Sequence, residues 1–117
     1  MSEEKTSQSH RVFEMRTYYT HPGKMALLDS RFRDHTSKLF EKHGMEIIGF
    51  WKPKDKADEV LVYILAYPSK EAAEKSWKAF REDPVWLKAK EDSEKLGPIV
   101  KKAESLFLGP TDYSPLK

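Results

Sequence analysis

The sequence predicts an α+β fold in the order βαββαβ, built on a four-stranded antiparallel sheet. Three observations carry this expectation. Four segments have the alternation or unbroken apolarity of strands. Two long stretches between them carry apolar residues at helical spacing. The strongest strand, "EVLVYILAY", is apolar on both of its faces, as a strand covered on both sides must be.

The first strand is expected from about Val12 to Tyr19, and "THPGK" turns the chain by its Pro-Gly pair. A helix follows from about Lys24 to Lys42, with an apolar stripe of Met25, Leu28, Phe32 and Leu39. Gly44 stops it, since glycine accepts the left-handed backbone that ends helices. "EIIGFWKP" reads as the second strand, closed by Pro53, and "KPKDKADE" as a charged hairpin loop. In the third strand Val60, Val62, Ile64 and Ala66 share one face, and Leu61, Tyr63, Leu65 and Tyr67 the other. Ser69 caps the second helix, whose stripe is Ala73, Trp77 and Phe80. Asp83 as N-cap and Pro84 at the first position restart a helical piece that runs to about Lys95. "LGP" breaks it, a last strand covers about Ala103 to Leu108, and "GPTDYSP" is a tail.

This order is that of a ferredoxin-like sheet with its helices on one side and its first and third strands in the centre. The other side of the sheet then lacks a cover from its own chain. A second copy is the simplest cover, so a face-to-face homodimer is expected, with two sheets closing into a dimeric α/β barrel. Within the first strand, Phe13, Met15, Thr17 and Tyr19 are the more apolar set and are expected to meet the helices. Glu14, Arg16 and Tyr18 are then expected at the sheet-to-sheet interface. There the acid and the base can pair with each other or with the partner's copies, setting register more than stability. A ligand site is the competing reading for the same three residues.

Length and composition narrow the function classes. The 117 residues suit one domain over residues 11–117, after a polar, flexible leader over residues 1–10. Hydrophobic residues make up 38%, and three Trp, five Tyr and six Phe supply bulk for the core. The net charge of +2 is nearly balanced, which argues against nucleic acid as the main partner. Between Lys88 and Lys102 the lysines alternate with Glu91, Asp92 and Glu94, as on a solvated helix face. The absence of cysteine removes disulfides, thiolate nucleophiles and cysteine-ligated metals. No apolar run approaches the ~20 residues of a membrane span. The first residues, "MSEEKTSQSH", match neither a secretory signal nor a transit peptide, so a cytoplasmic location is expected.

Three stretches together, "FEMRTYYTHPGK", "HGMEIIGFW" and "EVLVYILAYPSKEAAEKSWKAFREDPVW", resemble the NIPSNAP family of dimeric α/β-barrel proteins. The resemblance runs from Val12 to about Pro115. It includes Glu14, Arg16 and Tyr18, Gly23, Gly44 and Gly49, Tyr63, and Arg81, Pro84 and Trp86. It implies a ferredoxin-like monomer whose sheets close into a barrel as a dimer. It implies no reaction and no cofactor, because the family has no generally assigned activity. Eukaryotic members are linked to mitochondria and to vesicle or partner-protein roles. This chain, without a transit peptide, is more similar to a small stand-alone bacterial member. The wider superfamily hosts cofactor-free oxygenases, haem enzymes and lactone isomerases, which is analogy at the level of fold.

The candidate pocket residues are His35, Trp51, Tyr63 and Trp77. His35 falls on the apolar stripe between Phe32 and Leu39 and is expected to face the sheet near Met15 or Thr17. There it could serve as a general base or, by superfamily analogy, a haem ligand; the competing reading is a core histidine satisfied by a hydroxyl or backbone group. Trp51, Trp77 and Trp86 are packing residues or the walls of a pocket for a flat apolar ligand. His35 and His43, eight residues and ~12 Å apart along a helix, cannot share a metal, and no metal site is expected. Ser30, Ser37 and Ser76 lack a nucleophile elbow, and the five glycines form no phosphate loop. The sequence thus points to a homodimeric barrel protein of unassigned activity that binds a small apolar ligand. The alternatives are a cofactor-independent monooxygenase using His35 and the tryptophans, and a scaffold for protein partners. An enclosed cavity with polar groups converging on His35 would favour the enzyme, and a filled core the other two.

Overall fold

A computed structural model describes residues 10–117. The expected leader lies, apart from His10, outside those residues. Strand β1 is Val12–Thr20. Helix α1 follows in three continuous stretches: Met25–Arg31, a π turn at Phe32–Thr36, and Ser37–Lys42. Then come β2 (Glu46–Trp51), β3 (Val60–Tyr67), α2 (Lys70–Glu82), α3 (Pro84–Ser93) and β4 (Val100–Leu108). The strands lie in the order β2-β3-β1-β4, all antiparallel, with β1 and β3 central. This is the ferredoxin-like α+β fold that the βαββαβ order predicts.

The caps form as expected. The Ser69 side chain accepts the Ala72 N–H at 3.0 Å. Asp83 accepts the Val85 N–H at 2.8 Å, with Pro84 at the first helical position. Asp83 also clamps the end of α1 to this corner, through Lys42 Nζ at 2.8 Å and His43 Nε2 at 2.7 Å. The hydrogen bonds from Lys42, His43 and the Val85 N–H hold the Asp83 carboxyl well below the usual range. Gly44 ends α1 at φ +81°, the left-handed backbone that disfavours a side chain. Strand β4 starts three residues before its expected position. Ile99, fully buried, already accepts the His21 N–H, and Val100 pairs with Thr20 across a register shift.

Two expectations are corrected. The first concerns the faces of β1. Cross-strand neighbours point to the same side of a sheet. Glu14, Arg16 and Tyr18 lie opposite Leu65, Tyr63 and Leu61, and this set packs under the helices. Phe13, Met15, Thr17 and Tyr19 share the opposite face with Val60, Val62, Ile64 and Ala66; there Phe13, Val60 and Ala66 are buried, and tail residues Pro110, Ser114 and Leu116 stand beside Phe13 and Ile64. Counting apolar side chains gives the opposite answer, because it takes Glu14 and Arg16 as charges to be kept from the core. In the fold they are neutralised there by partners from β3, β4 and α2.

The second correction concerns His35. The Ser37 N–H reaches back five residues to the Phe32 carbonyl, so α1 carries one residue more than α-helical phase allows. Downstream of Phe32 the buried positions become Thr36, Leu39 and Phe40, and His35 is turned to solvent.

Candidate functional site

Glu14 is the centre of a polar cluster between the sheet and α2. Its carboxylate is 2% exposed and accepts four hydrogen bonds. Tyr67 OH at 2.6 Å and Trp77 Nε1 at 2.8 Å reach Oε1. Arg16 Nη1 at 2.9 Å and Ser105 Oγ reach Oε2. Burial alone would raise its pKa, but the donors Ser105, Tyr67, Trp77 and Arg16 outweigh it and hold the carboxyl below the ordinary value. Burial likewise works against the Arg16 charge, yet the surrounding hydroxyls and Glu14 hold its pKa above normal. Tyr67, pushed upward by burial and by the adjacent carboxylate, stays protonated. The Arg16 guanidinium also lies 4.3 Å from the centre of the Trp77 ring. With every lone pair of Glu14 occupied, this carboxylate is an anchor and has no capacity left as a base.

The guanidinium extends the cluster toward two tyrosines. Arg16 Nε donates to Tyr63 OH at 3.0 Å and Nη2 to Tyr18 OH at 3.2 Å. Tyr63 OH donates to Tyr18 OH at 2.8 Å. The Tyr18 oxygen therefore accepts two bonds, and its own O–H is left over. Tyr63 is fully buried, whereas Tyr18 borders a half-open chamber.

That chamber, about 290 Å³, lies between α1, α3 and the sheet. Phe32, Phe40, Phe80 and Trp86 form apolar walls, with Tyr18 and Val100 on the sheet side. Lys90, Glu94 and Pro98 stand at its edge. Arg31 and Thr36 also line it, 5% and 2% exposed. The Arg31 guanidinium lies 5.0 Å from the centre of the Trp86 ring, and its Nη1 meets Ser93 at 3.2 Å and Glu94 at 3.4 Å. Its Nε and the Thr36 Oγ1 are buried without a hydrogen-bond partner among the described residues. Burial lowers the Arg31 pKa, against the opposing pull of Glu94. Buried polar atoms are nearly always paired, so two orphans on one chamber mark it out.

The structure brings together residues that the sequence assigned to separate roles. Glu14, Arg16 and Tyr18, expected at a dimer interface, join Tyr63 and Trp77, expected in a pocket. His35 and Trp51 lie elsewhere. His35 sits on the outer side of the helices, beside Val85, Lys88 and Ala89. Trp51, half exposed at the end of β2, lies across Gly49, where an added Cβ would come within 2.8 Å of the indole. The polar groups of the chamber converge on Tyr18, Arg31 and Thr36, away from His35. Arg31 went unread in the sequence although it follows Leu28 by three residues on the apolar stripe, which is itself a signal. Tyr67 shares a strand face with Tyr63 and was legible too. Ser105 and Thr36 depend on cross-strand register and on the π turn, which no local pattern encodes.

With this geometry in place, the likenesses to known proteins can be read. The sequence profile of the NIPSNAP family matches residues 13–115. No curated protein matches the sequence. A crystal structure of a NIPSNAP family protein of unknown function from Agrobacterium tumefaciens is similar at a TM-score of 0.80 and 22% identity, covering 93% of this chain and 96% of that one. A second NIPSNAP family protein from the same organism gives 0.78 at 24%, covering 92% and 100%. SnoaB, a cofactor-independent oxygenase from Streptomyces nogalater, gives 0.64 at 17%, covering 91% and 98%. At these identities the structures speak for the fold alone. No helix among the described residues is long and apolar enough to cross a membrane.

Proposed function

The chain belongs to the NIPSNAP family, and from that premise we propose that it is a homodimeric small-molecule-binding protein. Its ligand is small, flat and mainly apolar, and occupies the chamber between α1, α3 and the sheet. The observation that carries this reading is the chamber itself, an aromatic-walled space of about 290 Å³ beside a rigid hydrogen-bonded cluster. Small-molecule sites have this character: mostly apolar walls, a few fixed polar groups, and volumes from about 300 Å³ upward.

The dimer is supported by the other side of the sheet. All three helices lie on one side, and the molecule is only 19 Å thick by its Cα atoms. The opposite face carries Met15, Val62, Ile64, Leu106 and Leu108, with the last two 54% and 37% exposed. A flat apolar face of this kind is best covered by its own copy across a two-fold axis.

Fluorescence titration with N-phenyl-1-naphthylamine, a neutral flat probe, tests the chamber. Micromolar binding is expected, with quenching of Trp86. Ala103→Phe, which projects a ring into the chamber, should weaken binding at least tenfold. An absence of binding, or equal binding by the filled variant, would refute the reading. Sedimentation at micromolar concentration should give twice the chain mass, and a monomer would remove the dimer.

A further inference from the structure

The chamber's unpaired polar atoms specify more than an apolar ligand. Arg31 Nε–H is a donor, and the Thr36 hydroxyl can donate. Tyr18 OH already accepts from Arg16 and Tyr63, so its remaining valence is a donor as well. All three residues line one space. Arg31 Nε and Thr36 Oγ1 have no partner among the described residues, and the group that would complete a donor is an acceptor. Charge points the same way. Among the described residues Arg31 pairs with Glu94 alone, through a contact of 3.4 Å, and Glu94 also pairs with Lys90 at 3.2 Å. Two cations and one anion leave a net positive charge at this end of the chamber.

The π turn is an independent observation on the same atoms. Such turns are rare, occur as single turns inside α-helices, and are frequent at functional sites. In an unbroken α-helix His35 and Thr36 would both flank the face of Phe32; across this turn Thr36 alone is buried on the inner face and His35 is exposed. Its effect is to set a hydroxyl, rather than an imidazole, on the chamber wall.

We infer that the chamber's ligand is an aryl or similarly flat carboxylate, its carboxylate seated on Arg31 Nε and Thr36 Oγ1 with Tyr18 as a third donor. This rests on the proposal that the chamber binds a small molecule, and it names that molecule's polar group. A guanidinium edge with hydroxyl donors is the pairing that recognises a carboxylate, through charge-assisted hydrogen bonds. The walls of Phe32, Phe40, Phe80 and Trp86 hold the flat part of the ligand.

Two probes of nearly the same shape separate the possibilities: 2-naphthoate, and the neutral methyl ketone 2-acetylnaphthalene. Isothermal titration of the full chain should show the carboxylate binding at least tenfold tighter. Arg31→Met and Thr36→Val should each cost the carboxylate far more affinity than the ketone, reducing that preference to threefold or less. Equal affinity of the native chain for both probes would overturn the carboxylate assignment and leave the chamber reading standing. A preference that survives both substitutions would overturn it too. Binding of neither probe would end the chamber reading, and this inference with it. Thr36→Val conserves shape, so the test stands even where Arg31→Met fails to fold.

Discussion

Two groups of buried polar side chains flank Tyr18, and they differ in how far they are satisfied. On one side Glu14 accepts four hydrogen bonds, and its donors Arg16, Tyr67, Trp77 and Ser105 come from three strands and a helix. On the other, Arg31 Nε and Thr36 Oγ1 are equally buried and have no partner among the described residues. Both groups bear the cost of leaving water. The first recovers it inside the chain, and the second does not. Saturated polarity in this protein is architecture: it locks β1, β3, β4 and α2 into one register. Unsaturated polarity lies on the wall of the chamber between α1, α3 and the sheet.

The largest way to break this contrast is Arg16→Ala. It leaves the Glu14 carboxylate buried with one charge partner fewer and takes a donor from both tyrosines. A loss of about 3 kcal/mol is expected in urea denaturation, at the low end for a broken buried pair because the Arg16 side chain is 19% exposed. A loss under about 1 kcal/mol would mean that the cluster does not behave as one saturated unit.

Acid should attack the saturated side. The Glu14 pKa is lower in the folded chain than the ordinary 4.5. Its contribution to stability is therefore complete above about pH 5 and is lost as pH falls through the folded value. Glu14→Gln should be less stable than the native chain at pH 7, and the gap should narrow steadily below about pH 4.5. A gap of constant size from pH 7 to 3 would show that the carboxylate's charge contributes nothing.

The smallest effects sharpen the comparison most. Ser105→Ala removes a donor to an ionised acceptor and should cost about 2 kcal/mol. Thr36→Val removes a hydroxyl with no partner and keeps the shape, so it should leave stability unchanged or raise it by up to about 1 kcal/mol. If Thr36→Val costs as much as Ser105→Ala, the hydroxyl has a structural partner and the contrast dissolves. His35→Ala, on the solvent side of α1, should lie within about 0.5 kcal/mol of the native chain.

How much of this was legible in the residues depends on the range of the interaction concerned. Ser69, Asp83-Pro84 and Gly44 place helix ends through contacts within four residues, and each formed where the sequence put it. The two-sided apolarity of Val60 to Tyr67 likewise located a central strand. The face of β1 was not legible. Whether Glu14 and Arg16 look inward depends on Tyr63, Tyr67, Trp77 and Ser105, between 47 and 91 residues away. Alternation defines two faces but does not say which is covered when the charged face can satisfy itself. His35 failed for another reason: the stripe was counted at 3.6 residues per turn across a segment that does not keep that period.

The π turn also bears on the chain's ancestry. An inserted residue inside a helix rotates everything after it by about 100°, which ordinarily scrambles a core. Here the surplus is absorbed within one turn, on the solvent side, among Arg33, Asp34 and His35. Deleting one of those three would let an unbroken α-helix carry Phe32, Thr36 and Phe40 inward as before. The inner wall of α1 therefore tolerates a change of frame, and relatives that differ by one residue in this helix can keep the same chamber chemistry while their aligned columns disagree.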